Sequence, residues 1–323
     1  MAEIGIFILA IFMLIGGLVL IIYSSIKAVK HSAILAATLG ISPLVIGVAL
    51  VSIGTDVSEI FNSIISCALG HGDIDVGDSV GSDLTQLTLV FGLLPLVSGV
   101  FYVHRKDIII LGVCEVLSLI LIFTVVEKGY FTRIDAILMI ACLGIYIWLI
   151  YNTNKESILE RVGMIQKIRS PKSKKFHLFI ASLGFGGVTI SSYMIVNSVI
   201  IISNALNIHE YIISFVIVSV GTSLPELAVD INALRLKQHE IAIGDIIGSC
   251  IVDSTLSIAI GQALFPQRVT ARLITPTVLY TLLASFIVIT IVAVRKKVDR
   301  RAGAIFVSIY VFSFLFLFLL GFW

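Results

Sequence analysis

The sequence predicts an all-α integral membrane protein of ten transmembrane helices, arranged as two inverted five-helix repeats. Three observations predict it. The 323-residue chain is 58% hydrophobic and only 13% charged, with a mean hydropathy of +1.10, whereas a soluble domain is about half apolar and about a quarter charged. Its basic residues fall almost wholly into alternate loops. Two segments 167 residues apart also repeat one another in Gly, Thr, Ser and acidic positions.

Long unbroken apolar runs, such as 137–151 and 308–323, favour helices over the short alternating segments of a barrel. A span needs about 20 apolar residues. Candidates lie near 4–26, 33–69, 74–99, 107–126, 131–151, 176–203, 209–236, 241–264, 272–294 and 302–322. The second and seventh are too long for one straight crossing and contain Gly-Thr at 54–55 and 221–222, so tilted, broken or extended helices are expected there. The beginning MAEIGIF has an acid and no basic stretch, which reads as a first span and not as a cleavable signal. The polar segment 152–175 divides the chain into halves of five spans, 1–151 and 176–323, and reads as a linker or a short amphipathic surface helix.

With ten spans, the loops on one side hold 18 of the 22 Lys and Arg, and Lys128, Arg133, Arg268 and Arg272 lie on the other. Basic loops stay in the cytoplasm, which puts 152–175 inside and both termini outside. The compact loops suggest a prokaryotic plasma membrane. The basic residues are topological, and nothing suggests nucleic-acid binding. The four cysteines show no metal-ligand spacing and read as small buried residues.

Laid over 221–256, segment 54–89 matches without gaps at Gly54, Thr55, Glu59, Ile64, Leu69, Ile74, Gly77, Asp78, Gly81, Ser82, Thr88 and Leu89. Random apolar helices would share Leu and Ile instead. The offset spans an odd number of helices, so the copies cross the membrane in opposite directions. Inverted repeats with interrupted polar helices are a secondary-transporter architecture, with the ion site at the midplane.

Thr55 and Glu59 are four apart and share a helix face. So do Thr222 and Glu226, Ser249 and Asp253, and Ser82 and Gln86. These are all oxygen donors, which suits Ca2+, Mg2+ or Na+ and argues against zinc or copper. Carbonyls freed where the long helices break, around Ser52 and Ser219, add further oxygens. Pro225 favours such a break by removing a helical hydrogen bond. An acid at the centre of a membrane helix costs about 2.5–3.5 kcal/mol on insertion scales, which makes Glu59, Glu226 and Asp253 functional candidates. Asp78 and Asp245, both in Gly-Asp pairs near the start of a span, read as helix-terminus residues, with a gate or carboxylate relay as the alternative. Asp73 and Asp75 read as solvated loop acids, and His71 and His239 as inert loop residues. Glu115 stands alone in the fourth span without an assigned role.

The segments GTDVSEI…GDSVGSDLTQ and GTSLPEL…GDIIGSCIVD resemble the two alpha-repeats of the sodium/calcium exchanger branch of the calcium/cation antiporter superfamily. The motifs cover 52–92 and 219–261, and the ten-span topology covers the whole chain. The resemblance implies that Glu59 and Glu226 are the two central ion-binding glutamates. It makes Thr55, Thr222 and Ser223 hydroxyl and backbone ligands, and Ser82 and Ser249 the serines of the second helix in each repeat. Asp253 and Gln86 fall where the family has its Asp/Asn pair, and Ser52 and Ser219 where carbonyls reach sodium. The chain departs from the pattern at Asp56 (family Ser), Ser58 (Pro) and Gln86 (Asn or Asp). Further departures are Asp78, Asp245, Asp83 and Cys250, each at a family Asn. The proton-coupled branch's G-N-A-A-E-H type pattern is absent.

The expected function is alternating-access antiport of Ca2+, or a similar divalent cation, against Na+, with no enzyme activity and no cofactor. The partners are the cations and the lipid bilayer. Glu59, Glu226 and Asp253 carry three negative charges when ionised, and Asp56 a fourth. The alternative is therefore a proton-coupled antiporter in which the Asp56/Glu59 pair takes the proton. A passive cation channel would share the acids. An intramembrane aspartyl protease would need G-x-G-D, where this chain has DVGD and AIGD. Gly16-Gly17 and Gly186-Gly187, in the first helix of each half, suit the close packing that sliding helices need.

Overall fold

A computed structural model describes residues 2–38, 54–153, 173–235 and 239–319. The predicted linker is outside this range at 154–172, and so are residues 39–53 of the second predicted span, including Ser52. Among the described residues nine helical stretches are long and apolar enough to cross a membrane, and Val57–Ala68 is a shorter apolar helix.

In the first half, α1 (Ala2–Thr38) precedes α2 (Val57–Ala68) and α3 (Gly72–Leu84), which passes through a π-helical segment (Thr85–Val90) into α4 (Phe91–Ser98). Strand β1 (Phe101–Tyr102), α5 (Arg105–Val126) and α6 (Arg133–Thr153) follow. The second half begins with α7 (Lys174–Leu206) and α8 (Glu210–Ile213), a π segment (Ser214–Val218), α9 (Ser219–Thr222) and α10 (Leu224–Arg235). Next come α11 (His239–Val252), a third π segment (Asp253–Ser257) and α12 (Ile258–Leu264). The chain ends with α13 (Ala271–Arg295), β2 (Lys297–Val298) and α14 (Arg300–Leu319).

Helix α1 is longer than the predicted 4–26. Ser24 to Ala33 holds lysines and a histidine but no Gly or Pro. Charges end an apolar span without ending a helix, whose breakers are Gly and Pro.

The 167-residue offset carries over to the elements. Adding 167 to the ends of α2 gives 224–235, the bounds of α10, and adding it to α3 gives 239–251, against 239–252 for α11. The π segment at 85–90 becomes 252–257, against 253–257 observed. α1 packs along its repeat mate α7, and α5 along its mate α13, so both pairs sit about the pseudo-two-fold axis. The same symmetry links the loops. β1 pairs antiparallel with β2 through Phe101 and Val298, and Tyr130 forms a bridge with Arg268. Adding 167 to 101, and subtracting it from 298, gives 268 and 131, within one residue of that bridge.

The least buried of the spanning helices are α1, α6 and α14. α1, α6 and α14 present Phe12, Trp148 and Phe318 to the surroundings, whereas α3 is buried at every position although it contains four aspartates. This polar-inside arrangement follows from the solvent: lipid tails reward apolar side chains and leave polar groups to find partners in the bundle. Outside the spans, Asp299 caps α14. Its carboxyl accepts from the Ala302 amide at 3.0 Å and from Arg295 at 2.6 Å, and these contacts hold it below the usual carboxylate range.

Candidate cation site

Each repeat contributes a helix interruption and the π-containing helix that follows it. The second interruption falls at Ser223, between α9 and α10. Pro225, at the start of α10, lacks the amide hydrogen that would close the preceding turn. The first falls at Asp56, ahead of α2. The two residues are related by 167 and share one backbone conformation, φ −79° and ψ 13° at Asp56, φ −82° and ψ 1° at Ser223. This bridge-region geometry is sparsely populated and common at active sites.

The interruptions face each other through crossed contacts. Thr55 Oγ1 lies 3.2 Å from Ser249 Oγ, and its repeat mate Thr222 Oγ1 lies 3.4 Å from Ser82 Oγ. Every such pair joins one repeat to the other. Close approach is set by small residues: a Cβ built on Gly81 of α3 would sit 2.5 Å from the Phe215 carbonyl and 2.7 Å from Ser219 Cβ.

Around these hydroxyls converge buried carboxylates. Asp56, Glu59 and Asp253 each bring an oxygen within 4.8 Å of the other two. Glu226 neighbours Asp56 and Glu59 and is likewise fully buried. Glu59 accepts from Ser58 at 2.8 Å on one oxygen only, and Asp253 accepts from Gln86 at 3.1 Å on one oxygen only. Among the described residues no well-aligned hydrogen bond reaches either oxygen of Asp56 or of Glu226. None of the described ion pairs includes any of these four acids. Like charges this close, removed from water, repel strongly. Such an arrangement calls for a bound cation or for protons on the acids.

The described members of the predicted set thus meet in one place, with two differences of role. Ser223 Oγ donates to the Ser219 carbonyl at 2.8 Å and points back along its own helix. That carbonyl also accepts from the Ser223 amide at 3.1 Å, so an ion there would have to displace the Ser223 hydroxyl. Asn62 went unrecognised in the sequence. It donates to Asp78 at 2.6 Å, and Thr222 donates to the other Asp78 oxygen at 2.9 Å. Its repeat mate is Val229, so the repeat gave no identity to flag it.

Three expectations need correction. Asp78 and Asp245 are not helix-terminus residues. Each lies two turns inside its helix, because α3 and α11 begin at Gly72 and His239. Asp73 and Asp75 are not solvated loop acids but belong to the first turn of α3. There Asp73 accepts from the Thr270 amide and hydroxyl at 2.7 and 2.6 Å, and Asp75 from Gln262 at 2.7 Å. His71 is paired with Glu210 at 2.7 Å.

The profile of the sodium/calcium exchanger protein family matches residues 9–152 and 176–319. Inner membrane protein YrbG of Escherichia coli (strain K12) is 29% identical over 272 residues, 81% of this chain and 82% of that one. Among solved structures, the sodium-calcium exchanger NCX_Mj superposes with a TM-score of 0.61 at 23% identity, covering 96% of this chain and 98% of that one. The H+/Ca2+ exchanger CAX superposes with a TM-score of 0.74 at 15% identity, covering 95% and 82%. The two structures establish a shared fold.

Proposed function

The chain belongs to the sodium/calcium exchanger protein family, whose members are transporters and not enzymes, and on that premise we propose that it exchanges Ca2+, or a similar divalent cation, for Na+ by alternating access. The observation that carries this reading is the convergence of Asp56, Glu59 and Asp253 within 4.8 Å, beside Glu226, with no cationic side chain among the described residues paired to any of them. Ca2+ takes six to eight oxygen ligands at about 2.3–2.6 Å. Glu59, Glu226 and Asp253 would supply its charged ligands, and Thr55, Thr222, Ser82 and Ser249 neutral oxygens. Gln86 holds Asp253 in orientation. Ser219 and Ser52 complete the proposed sodium ligands through their carbonyls.

When Ca2+ leaves, the same oxygens are left with uncompensated charge. A buried cage of this kind cannot reorient empty, because its carboxylates would cross the bilayer unscreened. Counter-cations must therefore enter before the site turns to the other side, which is obligatory exchange. α1 and α7 are the proposed moving pair, packed together at Gly17 and Gly187, where a Cβ would meet Ile195 at 2.9 Å and Ser24 at 2.3 Å. The proposed orientation has both termini outside and 152–175 in the cytoplasm of a prokaryotic plasma membrane.

A second reading couples Ca2+ to protons, and Asp56 favours it. It is a fourth carboxylate with no well-aligned hydrogen bond to either oxygen among the described residues, more charge than one Ca2+ neutralises, and the fold is also that of an H+/Ca2+ exchanger. Uptake of radiolabelled Ca2+ into proteoliposomes separates the readings. A Na+ gradient alone should drive it; uptake driven only by a pH gradient would replace Na+ with H+. Uptake that needs neither gradient would indicate a channel and overturn both.

A further inference from the structure

A second cluster of buried ligating groups lies beside the candidate exchange site. Asp83 and Cys250 follow Ser82 and Ser249 by one residue, so they point about 100° further round α3 and α11. They are themselves repeat mates, 167 apart. Glu115 comes from the middle of α5, which packs against α11 and the π segment after it. A carboxylate oxygen of Asp83, one of Glu115 and Cys250 Sγ all lie within 4.8 Å of one another, and all three residues are fully buried.

Among the described residues no well-aligned hydrogen bond reaches either oxygen of Asp83 or of Glu115, and no described ion pair includes them. The Cys250 thiol makes only weak donations, to Gln86 Oε1 at 3.3 Å and to the Asp83 carbonyl at 3.8 Å. Ser118 and Ser254 lie beside Glu115, with their hydroxyls bonded to one another at 2.6 Å. Two facing carboxylates with no cation paired to them, one of them without a nearby donor, are costly inside a bundle. Neither is among the carboxylates assigned to the exchange site.

We propose that Asp83, Glu115 and Cys250 form a second metal site, distinct from the exchange site, that takes one divalent cation of borderline softness, the Zn2+ and Cd2+ class. The Cys250 thiolate and one ionised carboxylate match a divalent charge, with the second carboxyl keeping its proton and the thiol proton leaving to solvent as the metal binds. The sulfur ligand selects against Ca2+ and Mg2+, which bind oxygen alone. The site also communicates with the first. Cys250 bonds Gln86, and Gln86 bonds Asp253, so a cation that claims the Cys250 sulfur removes one partner of the amide orienting Asp253.

Cd2+ is the probe, because its bond to a thiolate gives an ultraviolet charge-transfer band. Titrated into the purified full-length protein with Ca2+ in excess, it should give that band at one equivalent per chain. Glu59→Gln, which alters only the exchange site, should keep it, as should Cys67→Ser and Cys114→Ser. Cys250→Ser should abolish it, and Glu115→Gln should weaken Cd2+ binding by at least about tenfold, the lower end for loss of a metal-site partner. A band that survives Cys250→Ser, that disappears with Glu59→Gln, or that is absent from the wild-type protein overturns the proposal. Cys250→Ser is close to isosteric, so it decides the matter even where the Glu115 variant does not fold.

Discussion

The two helix interruptions have the same backbone and different chemistry. At Ser223 the side chain is satisfied by its own helix, donating to the Ser219 carbonyl at 2.8 Å. At Asp56, in the same φ/ψ region, both side-chain oxygens are buried without a well-aligned hydrogen bond among the described residues and face Glu59 and Asp253. The comparison separates what symmetry fixes from what it leaves free. Gly-Thr pairs beside the interruptions, small residues at the contacts and crossed Thr–Ser pairs define the scaffold twice over. A single side chain then sets the charge on one side of it.

Glu59→Gln and Glu226→Gln break the pairing outright, since each removes a charged ligand of the proposed cage. Ca2+ uptake into proteoliposomes should fall below about one hundredth of wild type in either variant, beyond the range for partners that merely orient ligands. If one of them transports normally, the two repeats do not share the ion.

Asp56→Ser makes the two interruptions alike. Na+-driven uptake should persist, while any dependence on external pH is lost, as read from uptake across a pH series. An unchanged pH profile would remove Asp56 from the proton reading.

Gly81→Ala tests the scaffold rather than the charge. The added Cβ would lie 2.5 Å from the Phe215 carbonyl, and overpacking of this kind costs about 1–3 kcal/mol. A lowered midpoint of thermal unfolding in detergent is expected, and an unchanged one would mean the helices do not meet there.

Thr222→Val leaves one Asp78 oxygen without its donor at 2.9 Å, a loss of about 1–3 kcal/mol for a buried acceptor. The part-buried pair of His71 and Glu210 should matter least, since Glu210→Gln keeps an oxygen that can accept the same 2.7 Å hydrogen bond. Equal melting shifts for Thr222→Val and Glu210→Gln would contradict the buried network.

Much of this was legible because the repeat concentrates its identities on Gly, Thr, Ser and acids, residues that apolar helices do not share by chance. Asp56 stood out for the same reason, as an acid whose mate is Ser223. Asn62 was hidden because its mate is Val229. Asp73 and Asp75 were misplaced because three aspartates in GDIDVGD look like a solvated loop, and only the partners Thr270 and Gln262 from the other repeat explain their burial. The cluster at Asp83 needs Glu115 from a helix outside both repeat motifs, a contact with no signature along the chain. Nothing in TQLTLV announces a π segment either.

The short strand pairing of β1 with β2 and the bridge of Tyr130 with Arg268 have a mechanical consequence. They join the loops flanking α5 and α13, the mate pair on the axis, once at each end of those helices. The result is a stator, hooped at both rims. No such hoop among the described residues reaches α1 or α7, which pack along each other and against α2, α9 and α10. In the proposed sliding mechanism those two helices would be the piston, and the hoops what it pushes against.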